Sequence, residues 1–323
     1  MHRTTEVIVC TFNGEDYIVE QLQSILKQTR KVNKISIYDD QSSDATVTRI
    51  LKFIDQQNED DRQDFALHIN AQNLGYAQNF MLAIENASAD IIFLCDQDDI
   101  WQPNKVEATL ELFNESGVDM VFSDGALIDR CGESLNRPTV LTSYGLDNRM
   151  IQDFKNCAFE RLLKRNYVNG AAAAIRRTAA QAALPLPCEM PHDYWLAIWC
   201  SLNGGIAATP QVLYRYRQHH RNVIGIGSDN AVYNWLGIWR HPIAPREREL
   251  RIWTAVTIRI AELPKPLSTD SAQHKLEWLS RVVCGKRRSL ARLCAVVMSL
   301  FRGDYRTYST PNAFLRDILS FIK

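Results

Sequence analysis

Residues 91–101 read Ile-Ile-Phe-Leu-Cys-Asp-Gln-Asp-Asp-Ile-Trp, so five apolar residues run directly into a cluster of three carboxylates. The apolar run is too short for a core helix and predicts a strand that is buried on both faces of a sheet. The carboxyl ends of such strands form the edge at which α/β proteins bind ligands. Three acids crowded there repel one another unless a cation lies among them, and an oxygen-ligated divalent ion is the natural one. A solvated acidic turn is the alternative.

The first 123 residues predict regular alternation of strands and helices. Short apolar or alternating runs predict strands at Val7–Cys10, Lys34–Tyr38, Ala66–Asn70, Ile91–Cys95 and Val118–Ser123. Apolar stripes at helical spacing predict helices between them, near residues 18–26, 47–54, 77–87 and 103–114. This order with short loops is typical of an α/β fold with a doubly wound, mostly parallel sheet.

The alternation weakens after residue 124. A further helix is expected from His192 to about Leu202, and Val212–Arg217 alternates like an edge strand. Beyond about residue 226 the pattern predicts helices alone, including one over Leu290–Phe301. We therefore expect an α/β domain over residues 1–225 and a helical C-terminal extension over residues 226–323.

The charge is balanced over the whole chain but divided unevenly along it. Lysine plus arginine and aspartate plus glutamate each number 37, yet residues 275–323 carry ten basic and three acidic residues. A basic C-terminal segment suggests an anionic partner, either a membrane surface or a nucleic acid.

The composition is that of an ordinary soluble globular protein, with 46% hydrophobic and 23% charged residues. Eight cysteines without a Cys-x-x-Cys pair predict reduced thiols in a cytoplasmic protein. No stretch reaches the roughly 20 apolar residues of a membrane span, and the N-terminus has no apolar core of signal-peptide length. The expected location is the cytoplasm or, peripherally, the cytoplasmic face of the inner membrane.

Polar residues follow four of the predicted strands, where the strand ends meet at one sheet edge. They are Thr11 and Asn13, Asp39 and Asp40, Asn73 and Gly75, and Asp96 and Asp98. The glycine-rich loops of dinucleotide-binding and P-loop proteins are both missing. An acid-rich edge would therefore hold phosphates through a bridging metal and hold base and ribose through side-chain acceptors.

Four of these segments together resemble the family 2 glycosyltransferases. They are Val9-Cys10-Thr11-Phe12-Asn13-Gly14, Asp39-Asp40-x-Ser42-x-Asp44, Asn73-x-Gly75 and Leu94-x-Asp96-x-Asp98-Asp99-x-Trp101-x-Pro103-x-Lys105. The resemblance covers about residues 5–225 and implies the GT-A fold and inverting transfer from a nucleotide-sugar. The Asp-Gln-Asp-Asp-x-Trp form is closest to bacterial rhamnosyltransferase-like members that build cell-surface polysaccharides.

The resemblance also implies which residues bind the donor. Asp39 would accept a hydrogen bond from the pyrimidine N3–H, and Asp96 would contact the ribose. Asp98 would coordinate Mg²⁺ or Mn²⁺, since the developing charge of a diphosphate leaving group needs a cation. The full set expected at the nucleotide-sugar is Thr11, Phe12, Asn13, Asp39, Asp40, Asn73, Gly75, Asp96 and Gln97. The alternative for Asp39 is a helix cap, and Asp99 is left unassigned because it can cap the helix that follows.

Inversion requires a base that takes the proton of the acceptor hydroxyl. The segment His192-Asp193-Tyr194-Trp195 resembles the family's acidic motif and makes Asp193 the candidate base, with a helix N-cap as the alternative. Trp195 is expected in the core. The segment Tyr216–Gly225 resembles the one that closes the catalytic domain, which makes His219 the second candidate metal ligand. A Gln-x-x-Arg-Trp motif of processive synthases is missing, which favours transfer of one sugar.

The C-terminal segment leaves two interpretations open. Lys286, Arg287, Arg288 and Arg292 flank the apolar run Leu293–Phe301, which predicts a basic, partly amphipathic helix. The helix could rest on anionic lipid near acceptors linked to undecaprenyl diphosphate. It could equally pack on the acidic main domain.

The sequence thus predicts a hexosyltransferase of O-antigen, capsule or exopolysaccharide synthesis. Its expected partners are a UDP- or dTDP-sugar, a lipid-linked or oligosaccharide acceptor and an anionic membrane surface, but no nucleic acid. One alternative is a sugar-phosphate nucleotidyltransferase, which would use a glycine-rich, basic first loop that Thr11–Gly14 does not provide. Another is a nucleic-acid-binding protein that uses the basic C-terminal helices, which leaves the acidic sheet edge unexplained.

Overall fold

The computed structural model describes residues 3–57, 64–187, 190–219, 244–262, 270–283, 290–309 and 313–322. The chain divides into two compact units. The first unit comprises residues 1–158, 167–186 and 191–226, and the second comprises residues 159–166, 187–190 and 227–323. The boundary expected between residues 225 and 226 lies outside the described residues and stays a prediction.

The first unit is built on an eight-stranded mixed sheet. Its strands are β1 Thr5–Thr11, β2 Lys34–Asp39, β3 Asp64–Ile69, β4 Ile91–Asp96, β5 Ile100–Trp101, β6 Met120–Ile128, β7 Ala173–Arg176 and β8 Ile206–Arg217. Their order is β3-β2-β1-β4-β7-β6-β8-β5. Strands β1 to β4 are parallel to their neighbours among themselves, β7 runs antiparallel to β4 and β6, and β8 is parallel to β6. The predicted α/β fold with a mostly parallel sheet is confirmed.

The helices of the first unit connect these strands. They are α1 Ile18–Leu26, α2 Thr46–Asp55, α3 Tyr76–Glu85, α4 Lys105–Leu112, α5 Val140–Ser143, α6 Asn148–Gln152, α8 Arg177–Ala182 and α9 His192–Asn203. Helix α7, Ala158–Leu162, belongs to the second unit except for its first residue. Two 3₁₀ turns lie at Phe154–Asn156 and Gly170–Ala172. Helix α1 shows why the pattern predicts the fold, because Ile18, Leu22 and Ile25 lie on one face and are fully buried.

The register of the parallel strands positions the site. Thr11 of β1 lies opposite Asp39 of β2, and Cys10 of β1 lies opposite Asp96 of β4. The apolar bodies of these strands, such as Val7 and Phe93, are fully buried. The polar residues at their carboxyl ends therefore converge at one edge, as the sequence predicts.

The prediction of an edge strand at Val212–Arg217 is wrong. Strand β8 is twice as long as expected, Ile206–Arg217, and pairs with β6 on one side and with β5 on the other. The strand at the edge is β5, which has only two residues and carries no readable alternation. Alternation reports burial of one face, and it does not report how many neighbours a strand has.

The described residues of the second unit form helices, as predicted. They include α10 Ala244–Ala261, α11 Asp270–Val283, α12 Leu290–Phe301, α13 Asp304–Tyr308 and α14 Ala313–Ile322. Trp253, Trp278 and Val296 are buried in this unit. Among the residues that the structure describes, no helix combines the length and apolar character needed to cross a bilayer.

Candidate active site

The acidic turn between β4 and β5 is the centre of the candidate site. Asp96 ends β4, and Asp98 and Asp99 follow it before β5 begins at Ile100. Burial, together with the negative charges of Asp98 and Asp193, raises the pKa of Asp96 to about 7. The predicted base thus lies close enough to the predicted ribose contact for their charges to interact.

Asp98 and His219 meet directly. The His219 Nε2 atom lies 2.8 Å from Asp98 Oδ2. Two neighbouring ligands of one divalent ion lie about 3 Å apart, given bonds of roughly 2.1 Å at a right angle. The pair therefore fits the metal-ligand roles predicted for both residues, and a carboxylate with an imidazole suits Mg²⁺ or Mn²⁺.

A metal ion here would need further ligands from outside the protein. Within the described ranges, no group of three or more histidine, cysteine, aspartate or glutamate side chains could hold a metal. Two protein ligands are enough for an ion that also binds substrate phosphates and water, as Mg²⁺ does in phosphate-transferring enzymes. The ligand roles of Asp98 and His219 stay predictions.

Arg217 fixes the turn to the end of β8. Its Nε donates to the Asp98 carbonyl oxygen at 2.7 Å, and its backbone N–H donates to Asp99 Oδ1 at 3.0 Å. The guanidinium lies 4.8 Å from the ring centroid of Tyr17, and the His219 ring stacks on that same tyrosine at 4.9 Å. Arg217 is buried and also donates to the carboxylate of Glu20.

The sequence did not predict the contacts of Arg217 with the acidic turn, or the packing of Arg217 and His219 on Tyr17. The available signal was the spacing of Arg217 and His219, because residues two apart point to the same side of an extended chain. A buried arginine two residues before a candidate ligand is a reason to search for a positioning role.

Asp99 is not a helix cap. The residue that precedes α4 is Asn104, whereas Asp99 is buried and accepts the Arg217 N–H. Its second oxygen has no hydrogen-bond partner among the described residues. Burial raises the pKa of Asp99 well above its ordinary value, and the charges of Asp98 and Asp96 add to this effect. Asp99 therefore joins the acidic turn to β8.

The predicted base-recognition residues are tied together by side-chain hydrogen bonds. Asp39 is fully buried, and its Oδ2 accepts bonds from Thr11 Oγ1 at 2.7 Å and from Ser42 Oγ at 2.6 Å. Its Oδ1 accepts the Ser42 N–H at 2.8 Å. A carboxylate offers about four acceptor positions, so one position on Oδ1 remains for a ligand. Asn13 lies beside this group, with its N–H donating to Ser42 Oγ at 2.8 Å.

Asp40 organises the loop that leads into α3. Its carboxylate accepts the backbone N–H groups of Leu74 at 2.7 Å and Gly75 at 2.8 Å. The side chain of Asn73 donates to the Asp40 carbonyl oxygen at 2.9 Å. Gly75 has φ +82°, a conformation that favours glycine. Asp40, Asn73 and Gly75 are thus brought together as one turn, and their contact with a nucleotide stays a prediction.

Gln97 links the acidic turn to the end of β1. Its side-chain amide accepts the Phe12 N–H at 2.8 Å and donates to the Phe12 carbonyl oxygen at 3.0 Å. A Cβ atom at Gly14 would lie 2.1 Å from Gln97 Oε1, so a larger residue there would displace the Gln97 amide. The Phe12 side chain is 47% exposed and can contact a bound ligand.

Asp193 lies in the first turn of α9 and not at its N-cap, which is Pro191. Its Oδ2 accepts the Gly170 N–H at 3.1 Å, and its Oδ1 accepts the Tyr194 N–H at 2.7 Å. Both bonds and the helix N-terminus favour the ionised carboxylate that a base requires. Trp195 is buried and donates to the Ala183 carbonyl oxygen at 2.8 Å, which confirms its predicted place in the core.

His192 is a buried neutral imidazole beside the candidate base. Its ring stacks on Phe80 at 4.0 Å, and in the described part of the chain neither ring nitrogen has a hydrogen-bond partner. Burial lowers the pKa of His192 to about 3. A Cβ atom at position 170 would lie 2.9 Å from His192 Nε2, so Gly170 makes room for this ring.

Comparison with known proteins decides the family. The profile of glycosyl transferase family 2 matches residues 6–183, which include all the strand-end motifs described above. The chain belongs to this family. It is therefore a glycosyltransferase, as the resemblance predicted.

One curated relative and two solved structures illustrate the likeness. The chain is 28% identical over 196 residues to the Escherichia coli UDP-Glc:alpha-D-GlcNAc-diphosphoundecaprenol beta-1,3-glucosyltransferase WfgD, covering 61% of this chain and 68% of WfgD. The S. aureus TarS 1–349 structure in complex with UDP has a TM-score of 0.60 at 16% identity, covering 98% of this chain and 89% of TarS. The mannosyltransferase PcManGT from Pyrobaculum calidifontis, in complex with GDP-Man and Mn²⁺, has a TM-score of 0.56 at 15% identity, with 100% and 88% coverage.

The structural likenesses confirm the predicted GT-A fold. The family assignment gives no support to the two alternatives, nucleotidyl transfer and nucleic-acid binding.

Proposed function

We propose that the protein transfers one hexosyl residue, rhamnose or another hexose, with inversion from a UDP- or dTDP-sugar to a lipid-linked or oligosaccharide acceptor. The pathway would be synthesis of a cell-surface polysaccharide such as O-antigen, capsule or exopolysaccharide. The observation that carries the proposal is the contact of Asp98 with His219 beside the interacting carboxylates of Asp96 and Asp193. The names of WfgD and of the UDP complex of TarS support a uridine nucleotide and a diphosphate-lipid acceptor.

Asp193 would act as the general base. Its carboxylate takes the proton of the acceptor hydroxyl as that oxygen forms a bond to the anomeric carbon. The bond from the anomeric carbon to the donor diphosphate breaks on the opposite side, and its electron pair leaves with the nucleoside diphosphate. The N–H groups of Gly170 and Tyr194 hold the carboxylate in place for this step.

Asp98 and His219 would hold a Mg²⁺ or Mn²⁺ ion. When bound, such an ion neutralises the charge that develops on the diphosphate leaving group. Arg217 keeps the Asp98 backbone and the end of β8 together through its bond to the Asp98 carbonyl oxygen. Asp39 would accept from the pyrimidine base, while Asp96 would contact the ribose. Transfer of a single sugar rests on the missing Gln-x-x-Arg-Trp motif.

Calorimetric titration of UDP and dTDP, each with and without Mn²⁺, tests the site. We expect metal-dependent binding to the wild type and a loss of at least about tenfold in affinity for Asp98→Ala, the scale of effect that even supporting residues have at metal sites. Glu111→Ala is the matched control, because Glu111 is an exposed carboxylate on α4. Failure of both nucleotides to bind in the presence of metal would overturn the proposal.

The stereochemistry tests the reaction. With the preferred donor and a GlcNAc-diphospholipid acceptor analogue, we expect a product whose new linkage has the anomeric configuration opposite to that of the donor. Nuclear magnetic resonance coupling constants of the product read this directly. Retention of configuration would contradict the role of Asp193 as a base in a single displacement.

A further inference from the structure

Helix α12 presents an apolar stripe outward. Ala291, Cys294, Met298 and Phe301 recur at i, i+3, i+7 and i+10, and all four are exposed. Phe301 is 81% exposed and Met298 is 50% exposed. Residues with this spacing lie on one face of a helix, so they form one continuous strip, called the apolar stripe below.

The opposite face of α12 points inward and carries both polar and apolar residues. Arg292 and Ser299 are buried together with Val296. The Arg292 Nε atom donates to the Val282 carbonyl oxygen at 2.8 Å. The prediction that Arg292 contributes to a basic flank is therefore wrong, because its guanidinium serves the interior of the second unit. Lys286, Arg287 and Arg288 lie outside the described residues.

In a surface helix the outward face is usually polar, whereas the outward face of α12 is apolar. Exposed apolar residues scattered singly are normal on proteins, but a contiguous strip marks an interaction surface. The partner of this surface must bury apolar side chains.

Positive charge borders the apolar stripe. Arg302 directly follows Phe301, and Arg306 lies one turn beyond in α13; both are exposed. In the part of the chain that the structure describes, neither arginine makes an ion pair.

The acidic residues of this segment do not offset that charge. Asp317 is buried against Arg246, and Asp304 lies 3.5 Å from Arg281. Glu277 also lies beside Arg281, at 3.8 Å. The surface around Phe301 is therefore apolar at its centre and cationic at its end.

We propose that the apolar stripe, together with Arg302 and Arg306, docks the second unit on an anionic lipid bilayer. Apolar side chains enter the boundary between head groups and acyl chains, while arginines attract anionic head groups. A lipid surface satisfies both features at once. The stripe of a second copy of the chain would bury apolar side chains, but its residues carry no negative charge to attract the arginines. The proposal rests on the second unit alone, so it stands or falls independently of the glycosyl-transfer site.

Vesicle flotation of the full-length protein tests this docking. We expect flotation with vesicles of phosphatidylcholine and phosphatidylglycerol, and much less with phosphatidylcholine alone. Phe301→Glu should lower the partition coefficient by at least about tenfold, because it replaces a membrane-inserting ring with a charge. Ile258→Glu is the matched control, since Ile258 is an isolated apolar residue on α10 that is 58% exposed.

Charge variants separate the two contributions. Arg302→Gln and Arg306→Gln should each weaken binding to the anionic vesicles about fivefold, the effect of one basic residue at such a surface. A higher salt concentration should also weaken binding to the anionic vesicles, because it screens the charges. Unchanged nucleotide binding by every variant shows that the first unit remains folded.

Three results would overturn the proposal. The first is an absence of binding to anionic vesicles, and the second is equal binding by wild type and Phe301→Glu. The third is a wild-type dimer in light scattering that becomes a monomer in Phe301→Glu, because the stripe would then be an interface between copies of the chain.

Discussion

The two units of this protein bury charged side chains in opposite ways. In the second unit two buried cations have partners of opposite sign: Arg246 lies 3.0 Å from Asp317, and Lys275 lies 2.7 Å from Glu249. At the edge of the first unit, carboxylates gather beside one another instead. Burial and the charges of Asp98 and Asp193 raise the pKa of Asp96 to about 7.

This difference distinguishes charged side chains that stabilise the fold from charged side chains that are placed to bind a ligand. Burial alone would raise the pKa of Glu249, but Lys275 and Arg246 lower it below the ordinary value, so its ionised form is stabilised by the protein itself. In the acidic turn of the first unit, Lys105 and the Arg217 N–H offset only part of this effect, and the pKa of Asp99 stays well above its ordinary value. A cluster that costs stability is a candidate for function. Substitutions in the first cluster should therefore change catalysis or metal binding, whereas substitutions in the second should change stability.

The largest effect is expected for the candidate base. Asp193→Ala should lower kcat by a factor of about 10²–10⁴, because the acceptor hydroxyl then loses its proton acceptor. Binding of UDP with Mn²⁺ should change little, since the Asp193 carboxylate accepts the backbone N–H groups of Gly170 and Tyr194, neither of which is a proposed metal ligand. Steady-state transfer assays measure kcat, and calorimetry measures the binding of UDP with Mn²⁺. Transfer at the wild-type rate would remove Asp193 from the mechanism.

The second prediction concerns the paired charges of the second unit. Asp317→Asn should lower the free energy of unfolding by about 3 kcal/mol, the lower end of the range for breaking a buried ion pair, because Arg246 loses Asp317 and keeps only Glu249. Urea unfolding followed by far-ultraviolet circular dichroism measures this change. Glu262→Gln is the control, since its pair with Arg259 has a half-exposed carboxylate and should contribute less than about 1 kcal/mol. Equal effects of the two variants would show that burial of the Arg246–Asp317 pair is irrelevant.

The third prediction concerns Arg217, which positions the acidic turn. Arg217→Gln removes the bond to the Asp98 carbonyl oxygen and should weaken Mn²⁺ affinity in the presence of UDP by about 10–100-fold. Titration of free Mn²⁺ by electron paramagnetic resonance measures the affinity without any catalytic turnover. Arg215→Gln is the matched control on the same strand, because Arg215 donates to the Gly132 carbonyl oxygen and not to the turn. A wild-type Mn²⁺ affinity in Arg217→Gln would rule out this positioning role.

The strand-end residues were predictable because their placement depends on local pattern. A buried parallel strand delivers its last residues to one edge, so Asp39 and Asp96 follow from the runs that precede them. Arg217 and Arg246 were not predictable in the same way. Arg217 meets Asp98 across 119 residues, and Arg246 meets Asp317 across 71. Such pairs depend on how elements that are distant in the sequence pack together, and the periodicity of a single sequence carries no information on that packing.

The smallest expected effect concerns His192 and the pH dependence of stability. Its pKa is 6.5 as an ordinary imidazole and is lowered by burial to about 3 in the fold. Between these values the unfolded chain binds a proton at this position and the folded chain does not. His192 therefore contributes stability above pH 6.5, and this stability is lost as the pH falls, by about 1.4 kcal/mol per pH unit.

His192→Phe should make the free energy of unfolding less sensitive to acid. The ring can still stack on Phe80, but the component of about 2 kcal/mol between pH 6.5 and pH 5 should disappear. Urea unfolding of both proteins at the two pH values measures the difference, and acids elsewhere cancel in the comparison. The control is His68→Phe, which removes an exposed imidazole from β3. If His192→Phe and the wild type lose the same stability between pH 6.5 and pH 5, the imidazole is protonated inside the fold. Its two ring nitrogens, which have no hydrogen-bond partner among the described residues, would then need a ligand.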